Sequence, residues 1–135
     1  MANQIYGKTR QKFLTGGFNW LSGNTKVVLV DTGVYTPNMA TDEFLSDIPV
    51  GARVATSGNL VNKTAVLGAA DADDIVITAV SGATAEALVL YVDSGVDATS
   101  VLVGFWDTAS GLVLTPNGGD VVIQWGNTDS RIFRL

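Results

Sequence analysis

The chain has 135 residues, 47% of them apolar and 16% charged, with a net charge of −5 and neither cysteine nor histidine. These figures exclude a disulfide framework, a thiolate metal site, and nucleophilic catalysis of the Ser-His or Cys-His type. The length suits one domain that buries roughly two-thirds of its unfolded surface, and so few charges leave apolar surface for a partner to cover.

Charge is unevenly placed. Residues 1–30 hold Lys8, Arg10, Lys12 and Lys26 and no acid, a net +4, whereas residues 31–135 hold all 13 acids and four cations, a net −9. A basic segment on an acidic body predicts docking against an acidic surface, either a neighbour's or its own. The overall negative charge disfavours nucleic acid as a partner. No apolar run approaches the roughly 20 residues that span a bilayer. The order Met1-Ala2-Asn3-Gln4 is unlike a signal peptide. A cytoplasmic site of synthesis and assembly is the expectation.

In chain order, residues 3–15 read as a short helix. Ala2, Ile5/Tyr6, Thr9 and Phe13 recur at helical spacing, with Lys8 and Lys12 on an adjacent row. Thr15-Gly16-Gly17 ends it, because glycine adopts the left-handed C-terminal conformation cheaply. Phe18, Trp20 and Leu21 then fill a gap between helix and sheet, or anchor a second molecule. Thr25–Val30 is a strand buried on both faces, followed by a loop over 33–38. Thr41 is the expected cap of one helical turn over 41–47, with Asp42 and Glu43 favourable at its start. Arg53–Leu60 and Val61–Leu67 suggest a hairpin with a bulge near Gly58. Residues 68–74 form an acidic turn, and 75–80 a strand. Glu86–Val92 and Ser100–Trp106 are adjacent antiparallel strands. Leu112–Leu114 precedes the turn Thr115-Pro116-Asn117-Gly118-Gly119. Val121–Trp125 and Arg131–Leu135 form the last expected pair.

Several apolar runs close on small polar corners, among them Asp31-Thr32-Gly33 and Asp93-Ser94-Gly95. Short β-branched runs with such corners predict a mainly β protein, an antiparallel β-sandwich of about eight strands with a short N-terminal helix or arm. A partly closed barrel is the alternative. The expected division is a helical arm over 1–24 and a β-sandwich domain over 25–135.

No motif carries chemistry strongly. Asp71-Ala72-Asp73-Asp74 lacks the calcium-loop pattern, since Ile75 stands where an oxygen ligand belongs, so it reads as a solvated turn. Asp42, Glu43 and Asp47 make only a weak case for the paired carboxylates of glycoside chemistry. Asp31-Thr32-Gly33 looks like an aspartic-protease triplet but reads as one more turn. Gly16-Gly17 and Gly118-Gly119 do not form a phosphate loop. Trp106 and Trp125 lie in apolar runs and read as core, with sugar stacking as the sharper reading. No catalytic residue, cofactor or metal is expected.

Four stretches, taken in order, carry a resemblance. They are Ala2-Asn3 through Tyr6-Gly7-Lys8 to Asn19-Trp20-Leu21; Lys26 to Asp31-Thr32 with Tyr35-Thr36-Pro37-Asn38; Glu43-Phe44-Leu45-Ser46-Asp47-Ile48-Pro49 with Gly51-Ala52-Arg53; and Thr115 to Asp120 with Ile132-Phe133-Arg134-Leu135. With these the whole chain resembles a family of small virion structural proteins of tailed bacteriophages. The resemblance implies a virion structural protein, and with the low charge, the β-rich body and the basic arm the leading expectation is a capsid decoration (cement) protein on the virion surface, assembled in the host cytoplasm. Its implied partners are the major capsid protein and copies of itself, as a homo-oligomer such as a trimer, with no membrane or nucleic-acid partner. Lys8, Arg10, Lys12, Phe13, Phe18 and Trp20 are the expected partner-binding residues. Removing residues 1–24 is then expected to abolish capsid binding and leave the β domain folded. A low-copy tail, neck or baseplate component and a glycan- or receptor-binding module are the alternatives.

Overall fold

A computed structural model describes residues 3–127 and 131–135. The fold is mainly β, and the described residues form antiparallel sheets of five, two and two strands and one α-helix. The central sheet runs in the order β1 (Gln4–Ile5), β7 (Val101–Trp106), β6 (Ala87–Asp93), β2 (Asn24–Val30), β3 (Arg53–Thr56). Its spine is the β2–β6 ladder, paired without interruption from Asn24↔Asp93 to Val30↔Ala87. β6 and β7 are the adjacent antiparallel strands that the sequence predicts.

Both faces of the spine are buried, which is why β2 and β6 read as apolar runs without alternation. On one face Val27, Leu29, Leu88, Leu90 and Val103 pack with Trp20, Leu60, Ile77, Ile132 and Phe133. On the other, Val28, Val30, Val89, Tyr91, Leu102 and Phe105 pack with Tyr6, Tyr35, Leu45, Ile48 and Ala52. The first layer is built on two ribbons rather than one sheet. β4 (Ala69–Ala70) pairs with β9 (Phe133–Arg134), and β5 (Ile75–Ile77) pairs with β8 (Val121–Ile123). A register shift between Leu90 and Tyr91 against β7 explains how Leu102 and Phe105, three residues apart, share a face.

The polar corners behave as the sequence predicts. Asp31 Oδ1 accepts from Gly33 N at 2.8 Å, Asp93 Oδ1 from Gly95 N at 2.8 Å and Asn117 Oδ1 from Gly119 N at 2.9 Å. Each is the same side-chain-to-backbone turn.

Four expectations are corrected. The helix α1 spans Gly7–Thr15 rather than beginning at residue 3, because Gln4 and Ile5 pair with Phe105 and Gly104 as an edge strand. Its end is as predicted, with Gly16 at φ 74°. The turn expected over 41–47 is a single 3-10 turn at Leu45–Asp47. There Asp47, not Thr41, caps the chain, its Oδ2 accepting from Glu43 N (2.8 Å) and Phe44 N (3.0 Å). The hairpin over 53–67 does not form. Its first half pairs with β2, where the bulge falls at Leu29/Val30 rather than near Gly58. Its second half holds Asn62 (φ 55°) and Leu67 (φ 53°), a backbone that no strand accommodates. Finally, the segments over 121–125 and 131–135 do not pair with each other. Each joins an earlier strand, because Ile75 and Ile77 need a partner that covers the same core.

The expected boundary at residue 24 falls inside packed structure. Ile5 and Tyr6 straddle the central sheet, with Ile5 against one core and Tyr6 fully buried in the other, and Trp20 is 5% exposed.

Candidate interaction surface

Helix α1 is held by the chain beneath it. Tyr6 N donates to Val103 O (3.1 Å), Gly7 N to Met39 O (2.7 Å), and the buried Thr9 hydroxyl to Leu102 O. A side chain at Gly7 would meet Met39 O at 2.9 Å, so the close approach requires glycine there. Tyr6 and Tyr35 share a hydroxyl–hydroxyl contact at 2.9 Å, and Tyr35 donates to Asp42 Oδ2 at 2.7 Å. Burial is the chief reason that both phenols are raised well above the ordinary tyrosine range.

The six predicted partner-binding residues separate into two groups. Lys8 and Arg10 make no ion pair with a described residue, and Arg10 is exposed. Leu14, one turn beyond Arg10, is 89% exposed. The others are engaged within the chain. Lys12 pairs with Glu43 and lies over the Phe44 ring, 5.6 Å from its centroid. Phe13 and Phe18 are half-buried and meet edge to face at 4.9 Å. Trp20 stacks edge-on against Phe133 at 5.4 Å, and its Nε1 donates to Thr64 O at 2.9 Å. Its ring is core, as the gap-filling reading of the sequence has it. Lys63 secures the same connector, donating to Ser22 O (3.0 Å), Gly23 O (3.1 Å) and Thr25 Oγ1 (3.1 Å), and burial lowers its ammonium pKa.

The acidic turn serves as a set of loop clamps. Asp73 Oδ2 accepts from Asn62 Nδ2 (2.6 Å), Asp74 Oδ1 from Trp125 N (2.9 Å), and Asp71 lies 3.9 Å from Arg131. Among the described residues no three carboxylates form a group that could hold a metal ion. Trp106 and Trp125 are both half-buried against the core. The Trp106 ring crosses Gly104 so closely that a Cβ there would lie 2.5 Å from it. No helix among the described residues is long and apolar enough to cross a membrane.

A carboxylate pair stands where the β2–β6 ladder ends. One step beyond Val30↔Ala87, Asp31 and Glu86 face each other beside a cleft of about 330 Å³. Glu86 Oε2 is buried and has no hydrogen-bond partner among the described residues. Burial first, and the neighbouring Asp31 charge second, raise the Glu86 carboxyl above its ordinary 4.5. The folded state therefore holds this proton more tightly than the unfolded chain. The resulting stability is complete below the ordinary value and is lost as pH rises through the folded one. Glu86→Gln is expected to raise stability at neutral pH by roughly 0.2–1 kcal/mol, the size of an opposed like-charge pair. It also flattens the stability profile just above pH 4.5. Urea unfolding at pH 4 to 7 reads both effects, and parallel profiles for the two proteins would exclude the coupling.

Sequence reasoning missed one surface. Val66, Leu67, Ala69, Asp71, Arg131 and Arg134 line a cleft of about 380 Å³. Its walls come from segments 60 or more residues apart, and no local pattern announces it. The only sequence signal is Val66-Leu67 directly before Gly68, an aliphatic pair at a turn.

No protein-family model matches this chain, and no curated protein matches it.

Proposed function

We propose that this chain is a non-enzymatic structural component of a tailed-phage virion, a decoration protein that sits on the capsid and bridges major capsid proteins. The observation that carries the reading is the outer side of α1. Lys8 and Arg10 make no ion pair with a described residue on a chain of net charge −5, and Leu14 lies exposed one turn beyond Arg10. A basic, partly apolar helix on an acidic protein suits an acidic neighbour. The helix is anchored through Tyr6, Gly7 and Thr9, so docking costs little ordering. In a symmetric shell each such contact is modest and is repeated many times. The sequence resemblance supplies the virion context. Lys8, Arg10 and the half-buried Phe13 and Phe18 are the residues assigned to the contact. Lys12 contributes by fixing the helix to Glu43, and Trp20 by supporting it from the core.

Quantitative mass spectrometry on separated heads and tails tests the reading. Copies co-purifying with heads in a fixed ratio to the major capsid protein are expected. A few copies with tails would move the protein to the neck or baseplate, and absence from both would remove the virion reading. The paired substitutions Lys8→Glu and Arg10→Glu are expected to reduce rebinding to stripped heads about tenfold or more, with an unchanged unfolding midpoint. Undiminished rebinding would take the contact off α1.

A further inference from the structure

The cleft lined by Val66, Leu67, Arg131 and Arg134 combines two unfavourable features. Val66 is 70% and Leu67 85% exposed, so the cleft has an aliphatic lip in water. Leu67 (φ 53°) and Arg131 (φ 51°) both hold left-handed backbone, which residues with a Cβ avoid. Exposed aliphatic surface and unfavourable backbone in one concavity mark a place where something binds.

Charge indicates what binds. Among the described residues that line it, two guanidiniums face one carboxylate, Asp71, so this lining is positive on a chain whose residues 31–135 carry a net −9. The complementary surface is present in the same chain. The turns Leu45–Asp47 and Asp97–Thr99 pack together, joined by Arg53, which donates to Leu45 O (2.8 Å), Ile48 O (2.8 Å) and Asp97 Oδ2 (2.8 Å). Val50 and Val96 flank these turns and are 74% and 59% exposed. Asp47 and Asp97 are exposed beside them, while the Arg53 side chain is only 17% exposed. This knob is aliphatic and acidic; the cleft is aliphatic and basic.

The two lie on opposite sides of the central sheet. Leu45 and Ile48 belong to one core layer, and Ala70 and Phe133, beneath the cleft, belong to the other. We propose that the cleft of one copy receives the Val50–Val96–Asp97 knob of a second copy, head to tail. Such a contact is heterologous, so it propagates to a ring or an open row rather than stopping at a dimer. It concerns copies of this chain alone and stands whether or not the virion reading holds.

Analytical ultracentrifugation of the full chain from micromolar to millimolar concentration, at low and high salt, tests it. The expected result is a mean mass that grows past the dimer with concentration and falls when salt screens the charges. Arg134→Glu removes the cleft and Val96→Lys the knob. Each is expected to weaken association about tenfold or more, as for an interface hot spot, with an unchanged unfolding midpoint because both sites are exposed. Mixed, the two variants retain one intact cleft and one intact knob, so they form a heterodimer and nothing larger. A wild-type chain that stays monomeric at millimolar concentration would overturn the proposal. So would an oligomer that both variants leave unchanged, or a closed dimer that salt does not weaken.

Discussion

A chain lacking residues 1–24 is expected to lose its cooperative unfolding transition. Deletion removes β1 and opens the edge of β7 at Gly104 and Phe105. It strips Tyr6 from one core and Trp20 from the other, both almost wholly buried. It also leaves Val103 O, Leu102 O and Met39 O without the donors that Tyr6, Thr9 and Gly7 supply. Losing one large aromatic side chain from a core costs about 3–5 kcal/mol. Two such losses amount to most of the 5–15 kcal/mol by which a domain of this size is ordinarily stable. Far-ultraviolet circular dichroism through a urea titration reads the outcome. A sigmoidal transition with an undiminished slope would mean that the segment is an appendage after all. The sequence reading expects that appendage, because a basic helix ahead of an acidic body looks separable. The structure makes it an edge of the sheet.

Trp20→Ala is expected to destabilise the protein by about 3–5 kcal/mol, the second large effect. The ring fills the space against Phe133, and Lys63 lies over it at 5.6 Å. Its loss also leaves Thr64 O without the indole donor. Trp20→Phe retains the apolar contact and loses that hydrogen bond, so a cost of about 1–3 kcal/mol is expected. Urea unfolding with tryptophan fluorescence checks both, since Trp106 and Trp125 remain as probes. An unchanged midpoint for Trp20→Ala would show that the ring does not support the core. The comparison also separates two readings of this residue. A partner anchor, once removed, weakens binding and leaves the fold intact, whereas a core residue weakens the fold first.

What could be read from the sequence follows the range of the interactions involved. The β2, β6 and β7 runs are legible because burial on both faces removes alternation and β-branched residues fit a pleated surface. The corners at Asp31, Asp93 and Asn117 are legible because each side chain bonds a backbone two residues away. The end of α1 at Gly16 is legible for the same local reason. The start of α1 is not, since Gln4 and Ile5 suit a helix equally well and only the open edge of β7 draws them into the sheet. The cap at Asp47 is not legible, because Thr41 bears an oxygen acceptor as well, and the difference lies in which backbone donors the loop presents. At the proposed site, the charges of Lys8 and Arg10 are plain in the sequence. That Lys12 turns to Glu43 and Trp20 to Phe133 depends on residues 31 and 113 positions away.

By itself, then, the sequence determined the antiparallel β class, the principal strands, the polar corners and the segregation of charge, all properties of neighbouring residues. The tertiary structure alone decided the partners: β3 with β2, β5 with β8, β4 with β9, and the N-terminal segment with β7. It also created the cleft, by bringing Leu67 beside Arg131 and Arg134. The physical reason is that local backbone preference selects a strand, whereas its partner is selected by which pairing buries both faces of the central sheet at once. That condition involves the whole chain and leaves no periodic mark on any part of it.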